Sequence, residues 1–271
     1  MAPVTEHGLT VEEGYENLSS RIASDLKILE AVTVEPGSPV SLEDVFLAPI
    51  HRPFALCTKQ PLGSALDHLQ LVGETLNAKG EPHPFAESTL IRTAITAASY
   101  SLWMLEGDDT ERRYRALQFN FKDCDGFTGF VRTQSQDPDA TEDYIAGAPG
   151  VIDDLGQRRE WIVNQANMLT GTSQTVRQFR DRLPSDTAIV ERTGTRMLTG
   201  WRLLSGYAHG LPWATLGNQV PQGEPHPETR IVTVSQVGNP EQLLNAAFYT
   251  IEVIEKAIRQ FRVLCHAERD S

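Results

Sequence analysis

The chain has 271 residues, of which 40% are hydrophobic and 22% are charged, and these values are ordinary for a globular protein with a sizeable core. The formal net charge of −12 at pH 7 excludes a broad basic surface for nucleic acid, although a local cationic site remains possible. No run reaches the roughly 18–20 apolar residues of a membrane-spanning helix, and the N-terminal sequence does not resemble a secretory signal. We therefore expect a cytoplasmic protein that does not contact membranes.

The cysteines and the common catalytic motifs indicate no metal or cofactor site. Cys57, Cys124 and Cys265 are far apart and odd in number, so neither a disulfide framework nor a zinc ribbon is predicted, and we expect buried thiols. The sequence also lacks the H-E-x-x-H, G-x-S-x-G, P-loop and G-x-G-x-x-G motifs. We therefore expect no metal and no cofactor.

Residues 1–61 are predicted to form an N-terminal extension. Residues 9–31 have the pattern of a helix, and the proline-rich stretch 36–61 predicts a connection to the rest of the chain. A helix attached in this way is expected to pack at the periphery of the molecule or on another subunit. Residues 62–271 are then predicted to form one helical domain.

Two helices are predicted at the start of this domain. Leucines at steps of four and three residues line one face of segment 62–76. In the next segment Pro84 stands at a first helical position, and a broad apolar stripe continues to Leu102. The many alanines of this second helix allow a partner helix to come close.

A polar helix is predicted next, over residues 110–134, and Gly126 and Gly129 are expected to interrupt it. The segment 137–150 collects Asp, Pro and Gly, which predicts a loop or a short broken helix. Regular apolar spacing then predicts a further helix over 151–170.

The last third of the chain is predicted to contain a helix, a β-hairpin and a long C-terminal helix. Helical spacing returns around 186–210, and a hairpin is predicted at about 214–236 because β-branched residues alternate after a Pro- and Gly-rich turn. Asn239 as the cap and Pro240 at the first position begin the last helix. Its apolar residues form a heptad-like seam at Leu244, Phe248, Ile251, Ile254, Ile258, Phe261 and Cys265. The seam is buried either against other helices of the same chain or against a second copy of the chain, and we expect a homodimer.

Together these patterns predict an all-α protein. The expected architecture is a helical bundle of five to seven helices, with a small β-hairpin inserted before the C-terminal helix.

The candidate chemistry lies in the segment GWRLLSGYAHGLPW, residues 200–213. Arg202 and His209 are seven residues apart, almost two helical turns, so both point the same way, and Ser205 lies between them. An imidazole serves as general acid or base near neutral pH, and a guanidinium stabilises charge on phosphate. The pair is therefore suited to cutting RNA without a metal, and Tyr207 adds a hydroxyl donor.

The stretches RLLSGYAHG and FAESTLIRTAITAASYSLWML resemble the higher eukaryote and prokaryote nucleotide-binding (HEPN) superfamily, whose motif is an Arg followed by four to six residues and a His late in an all-helical domain. They are also similar to all-helical proteins of actinobacteria near that group. The resemblance implies a helical bundle, frequently dimeric, in which Arg and His from two subunits share a cleft, and often a toxin or defence ribonuclease. Carried over by position, only Arg202 and His209 correspond to the motif.

A second pair, Arg259 and His266, has the same spacing. The context favours the first pair, because Gly206 and Gly210 permit close approach of another backbone, whereas Arg259 has an ordinary ion-pair partner four residues earlier in the helix. A competing interpretation of His209 is that it simply closes a helix together with Gly210.

The alternative function is a non-enzymatic helical module that binds a protein partner or a small ligand. Arg92 lies on a polar stripe beside the alanine-rich face of its helix, where it needs a partner, and His68 on the preceding helix could face the same side. With Tyr207 these residues form the candidate binding pocket. A structural polar network explains them equally well.

Overall fold

The computed structural model describes residues 8–77, 82–236 and 238–267, and these residues form helices nearly throughout. Six α-helices exceed 20 residues: α1 Val11–Ala31, α3 Phe54–Asn77, α4 Pro84–Leu105, α5 Asp109–Ser135, α6 Glu142–Thr170 and α11 Pro240–Leu264. The shorter ones are α2 Pro39–Leu47, α7 Val176–Asp181, α8 Asp186–Glu191, α9 Thr195–Ala208 and α10 Pro212–Thr215, with 3-10 turns at Ala48–Ile50 and Leu216–Asn218. Within the described residues, no helix is both long and apolar enough to cross a lipid bilayer.

A small β-hairpin precedes the last helix, as predicted. Its strands are β1, Gln219–Gln222, and β2, Thr233–Gln236, which pair antiparallel. The register places Gln219 opposite Gln236 and Gln222 opposite Thr233. The all-α fold class with a hairpin inserted before the C-terminal helix is therefore confirmed.

Local side-chain caps explain where several helices begin. The Thr10 hydroxyl accepts a hydrogen bond from the Glu13 amide, and the Glu13 carboxylate accepts one from the Thr10 amide, so a complete capping box begins α1. Asp108 caps α5, and Asn239 caps α11 through a 3.0 Å bond to the Gln242 amide. The predicted starts of α4 at Pro84 and of α11 at Pro240 are confirmed.

Three boundary predictions were wrong. Helix α3 begins at Phe54, not at residue 62, and it contains Pro61. The side chain of Phe54 is fully buried, and this packing holds the first turns of the helix although prolines disfavour them. Helix α6 begins at Glu142, where the Thr141 hydroxyl caps it and two acidic residues complement the helix dipole. Helix α5 continues through both of its predicted breaks, since its interior glycines cost only about 1 kcal/mol each.

The chain divides into two compact units. The described residues of the first are 8–33, 59–77, 82–103, 186–236 and 238–263, and those of the second are 34–58, 104–185 and 264–267. The boundary that we expected between residues 61 and 62 falls inside α3.

In the first unit, α1 packs along α11. The Tyr15 hydroxyl donates a 3.0 Å hydrogen bond to the Pro240 carbonyl, and Arg21 forms a 2.7 Å ion pair with Glu255. Leu18 and Ile22 of α1 are buried, and so is every residue of the α11 seam. The N-terminal helix is therefore part of this core and is not peripheral, and the seam is filled within a single chain.

In the second unit, α5 packs against α6 and also carries a buried ion pair. Arg159 of α6 donates to Asp125 of α5 at 2.8 Å, and Phe121 of α5 lies 5.2 Å from Phe179 of α7 between ring centroids. Arg112 donates to Glu43 at 3.2 Å, and both side chains are nearly inaccessible. Burial raises the pKa of Glu43, and the Arg112 charge opposes that rise.

Candidate functional site

Helix α9 carries the predicted site, and the helix ends in a hydrogen-bonded turn. The His209 amide donates to the Ser205 carbonyl, the Gly210 amide to Tyr207 and the Leu211 amide to Gly206, at 3.1, 2.9 and 2.8 Å. Gly210 has a φ of 62°, which is the left-handed conformation that this ending requires. His209 is thus the C-cap residue, so its backbone closes the helix as the competing interpretation proposed.

The side chains of Arg202 and His209 are both exposed. Neither side chain forms a hydrogen bond or an ion pair with any residue in the described part of the chain. Because they are seven residues apart along α9 and its cap, they lie on the same side of the helix. Both are therefore available to an external anion.

Arg92 of α4 is fixed beside this surface by two contacts with α9. Its Nε donates a 2.7 Å hydrogen bond to Ser205 Oγ, and its guanidinium lies 5.1 Å from the centre of the Trp201 ring. Trp201 Nε1 in turn donates to Thr96 Oγ1 at 2.9 Å. These contacts hold Arg92 next to the turn of α9 that lies between Arg202 and His209.

We refer to Arg92, Arg202 and His209 as the α9 basic cluster. Each is a neighbour of Ser205: Arg92 by direct contact, Arg202 three residues before it and His209 four residues after it. No carboxylate in the described residues contacts any member. Other arginines do have carboxylate partners: Arg21, Arg52, Arg112, Arg158, Arg159, Arg180 and Arg259. In a protein with a net charge of −12, a cluster without carboxylates is suited to an anionic ligand.

Neither the side chain of Tyr207 nor that of His68 is hydrogen-bonded to a member of this cluster in the part of the chain that the structure describes. Tyr207 is 4% exposed, and its hydroxyl accepts a 2.6 Å hydrogen bond from Asn218. It lines a narrow cavity that neither Arg92 nor His68 lines. His68 Nδ1 donates to the Ser64 carbonyl of its own helix at 2.6 Å.

The second Arg–His pair is divided between the two units. Arg259 lies 3.9 Å from Glu255, which is the partner predicted from the sequence, and His266 Nδ1 lies 2.8 Å from Glu35. Arg259 belongs to the first unit and His266 to the second. Each side chain of this pair therefore has its own carboxylate, unlike Arg202 and His209.

Sequence reasoning missed a cavity of about 390 Å³ between α9 and α11. Its lining includes Leu203, Leu204, Gln242, Asn245, Ala246 and Tyr249, but neither Arg202 nor His209. The available signal was a row of polar residues on one face of α11, which is easily mistaken for a solvated face.

Neither metal-binding geometry nor similarity to known proteins identifies a function. Over residues 8–77, 82–236 and 238–267, no group of three or more His, Cys, Asp or Glu side chains could hold a metal ion. Comparisons with protein-family models, curated proteins and solved structures found no significant match. The functional argument therefore depends on the chemistry of the side chains themselves.

Proposed function

We propose that this chain is a metal-independent ribonuclease of the toxin or defence type, with Arg202 and His209 as its catalytic residues. The observation that carries the proposal is that these two exposed side chains share one side of α9 and contact no carboxylate in the described residues. The resemblance of RLLSGYAHG to the HEPN superfamily motif supports the same assignment.

The chemistry needs one proton-transferring group and a positive charge beside the phosphate. In the proposed reaction the RNA 2′-oxygen attacks the adjacent phosphorus, a bond from that oxygen to phosphorus forms, and the bond to the 5′-oxygen breaks. His209 either takes the proton from the 2′-hydroxyl while water protonates the leaving 5′-oxygen, or protonates that oxygen while water takes the 2′-proton, and Arg202 stabilises the developing negative charge. Arg92, held by Ser205, orients the phosphate by a further charge-assisted contact.

The proposal includes a homodimer, because the resemblance implies that two subunits share the cleft. Arg202 and His209 are exposed and Arg92 beside them is half-buried, so a second copy could complete a groove around the RNA strand. The buried seam of α11 is not that contact surface. Light scattering at micromolar concentration is expected to give twice the chain mass, and a monomer would remove this part of the proposal.

The test is cleavage of single-stranded and structured RNA in the presence of EDTA. We expect His209→Ala to reduce the rate by about 10²–10⁴-fold, as is typical when a general acid or base is lost. Arg202→Ala should also slow cleavage while the fold is kept.

The chain offers a matched control in its second Arg–His pair. Arg259→Ala and His266→Ala remove the same residue types at the same spacing from exposed positions that already have carboxylate partners. Both are expected to cleave at the wild-type rate. The ribonuclease proposal should be abandoned if wild type does not cleave above background, or if folded His209→Ala is as fast as wild type.

The second candidate is a non-enzymatic helical module that binds a protein partner or a small ligand. Two observations favour it: Ser205 and Arg92 belong to a structural hydrogen-bond network, and the cavity between α9 and α11 lies away from the basic cluster. It is preferred if wild type neither cleaves nor binds RNA but does bind a ligand in that cavity.

A further inference from the structure

The indole of Trp213 packs on the side of α9 that carries Arg202 and His209. One edge of its ring contacts Gly206 so closely that a Cβ at this glycine would lie 2.6 Å from Trp213 Cζ2. Gly206 is four residues after Arg202 and three residues before His209, so all three positions lie on one stripe of the helix. The Trp213 ring is therefore a neighbour of both side chains of the proposed catalytic pair.

Trp213 is also the most accessible aromatic side chain of this part of the fold. It is 54% exposed, and within the described residues its indole N–H makes no hydrogen bond and its ring makes no aromatic or cation–π contact. Trp201 of the same region is only 9% exposed and donates its indole N–H to Thr96. Since α9 holds one edge of the Trp213 ring and more than half of the residue is open, a flat molecule can stack on it.

Arg92 and Trp213 flank the catalytic pair on opposite sides. Arg92 contacts Ser205, and Trp213 contacts the next residue, Gly206. Successive residues of a helix point about 100° apart, and the stripe of Arg202 and His209 runs between these two directions. A phosphate at the pair therefore has a guanidinium on one side and an aromatic ring on the other.

The segment around the ring contains no acidic residue. Residues 192–223 include three arginines and His209 but no Asp or Glu, although the whole chain has 36 acidic residues. A phosphate bound here is thus not repelled by a carboxylate of this segment, in spite of the net charge of −12.

Cations beside an exposed aromatic ring are the two features by which proteins hold single-stranded nucleic acid. The cations bind the phosphates, and the ring stacks on a base. An unpaired base can turn out of the strand to meet such a ring, whereas a base inside a duplex is covered by its neighbours. The arrangement therefore favours an unpaired strand over a duplex.

We infer that the α9 site takes single-stranded RNA and that Trp213 stacks on the base next to the scissile phosphate. This inference rests on the proposed function, because it places an RNA phosphate at Arg202 and His209. Stacking reads no hydrogen bonds of the base, so all four bases are accepted. The ring selects an unpaired strand, and the catalytic pair acts on its phosphate.

The test measures the binding of a strand that cannot be cleaved. The probe is a fully 2′-fluoro RNA of about nine nucleotides, which lacks the attacking hydroxyl. Its Kd is measured by fluorescence anisotropy at low salt, because phosphate contacts weaken as salt rises. The comparison strands are one that is abasic at every position and the duplex of the probe with its complement. Wild type should bind the probe about 5–150-fold more tightly than the abasic strand, as stacking of one base provides, and more tightly than the duplex.

Three variants assign this difference to the ring. Trp213→Leu keeps an apolar side chain over Gly206 without a flat ring, and should weaken binding of the probe at least about fivefold while it leaves binding of the abasic strand unchanged. Trp213→Phe keeps a ring and should retain most of the affinity, which a general disturbance of α10 would not allow. The matched control is Phe130→Ala, because Phe130 is 58% exposed but belongs to α5 in the second unit, and it should bind like wild type.

The inference is overturned if Trp213→Leu binds the probe like wild type, if it weakens the probe and the abasic strand equally, or if wild type prefers the duplex. A Trp213→Leu variant that binds the probe normally but changes from a dimer to a monomer in light scattering would assign the ring to a contact between protein copies.

Failure of this inference can be told apart from failure of the ribonuclease proposal, because binding is measured without cleavage. If wild type cleaves RNA and Trp213→Leu binds and cleaves equally well, the stacking role fails and the ribonuclease proposal stands. If the probe binds through Trp213 but wild type does not cleave RNA in EDTA, catalysis fails and the single-strand site stands. If wild type binds neither strand, both fail.

Discussion

Arg92 Nε and Ser205 Oγ, which are 113 residues apart in sequence, are joined by a hydrogen bond of 2.7 Å. The Ser205 hydroxyl donates in turn to the Trp201 carbonyl at 2.8 Å, so both its donor and its acceptor functions are used. Ser205 is therefore a positioning residue for Arg92, and its hydroxyl is not available as a nucleophile.

Ser205→Ala is expected to lower the free energy of unfolding by about 1–2 kcal/mol, because a hydrogen bond to a charged group is lost in a half-buried place. Urea denaturation measures this change. The control is Thr199→Ala on the same helix, since the Thr199 hydroxyl is exposed and bonds only to the Thr195 carbonyl. That variant should stay within about 0.5 kcal/mol of wild type, and an equal loss in both would contradict the role of the Arg92 contact.

Two glycines of α9 should respond in opposite directions to alanine. A Cβ at Gly206 would lie 2.6 Å from the Cβ of Ala214 and 2.6 Å from the Trp213 ring, so Gly206→Ala forces α10 to move and should cost about 1–3 kcal/mol. A Cβ at Gly200 meets no atom within 4 Å, and Gly200→Ala should stabilise the helix by about 0.5–1 kcal/mol. Thermal unfolding of both variants compares them, and a stabilising Gly206→Ala would show that α10 does not pack so closely.

Asp25 should make stability depend on pH. Burial raises its pKa to about 6, the Glu255 carboxylate adds to the rise, and Arg21 and Arg259 oppose it. Between about pH 4 and pH 6 the folded chain keeps a proton that the unfolded chain loses, so this group costs stability as the pH rises through that window. Above pH 6 the cost is constant, on the order of 3 kcal/mol for a shift of about two pKa units.

Asp25→Asn is accordingly expected to raise the free energy of unfolding at pH 7.5 by up to about 3 kcal/mol and to change it little at pH 4. Urea denaturation at the two pH values tests this. Asp67→Asn is the control, because Asp67 is exposed and should show no such difference. An equal effect of Asp25→Asn at both pH values would contradict the raised pKa.

The three cysteines should be unreactive in the folded protein. All three are buried, and burial raises the pKa of Cys57 to about 11 despite its hydrogen bonding with Asn120. Since the thiolate is the reactive form, Ellman's reagent at pH 8 should label the native chain at least about 100-fold more slowly than the chain in urea, where three thiols react. Rapid labelling of one native thiol would contradict this burial.

The sequence was most informative where the determinants of structure are local. Helix α11 has its cap, its first-position proline and its apolar seam within one continuous segment, so its first residue could be predicted correctly. The start of α6 was not predicted, because the Thr141 cap is a single hydroxyl in a segment that Asp, Gly and Pro otherwise mark as a loop. Pro149 lies inside that helix.

The candidate site was predicted only in part, for a related reason. The common direction of Arg202 and His209 follows from helix periodicity alone. The partner of Ser205 comes from a different helix, and the cavity between α9 and α11 exists only once these two helices lie side by side. Such relationships between distant segments leave no periodic trace in the sequence.

The packing of α1 on α11 also has a consequence during protein synthesis. The hydrogen-bond partner of Tyr15 lies 225 residues further along the sequence, and the ion-pair partner of Arg21 lies 234 residues further along. At translation rates of about 5–20 residues per second, α11 is synthesised roughly 10–45 s after α1. The packing of α1 on α11 is therefore completed late in synthesis, so a chaperone that holds apolar segments should increase the yield of folded protein more than it changes the final stability.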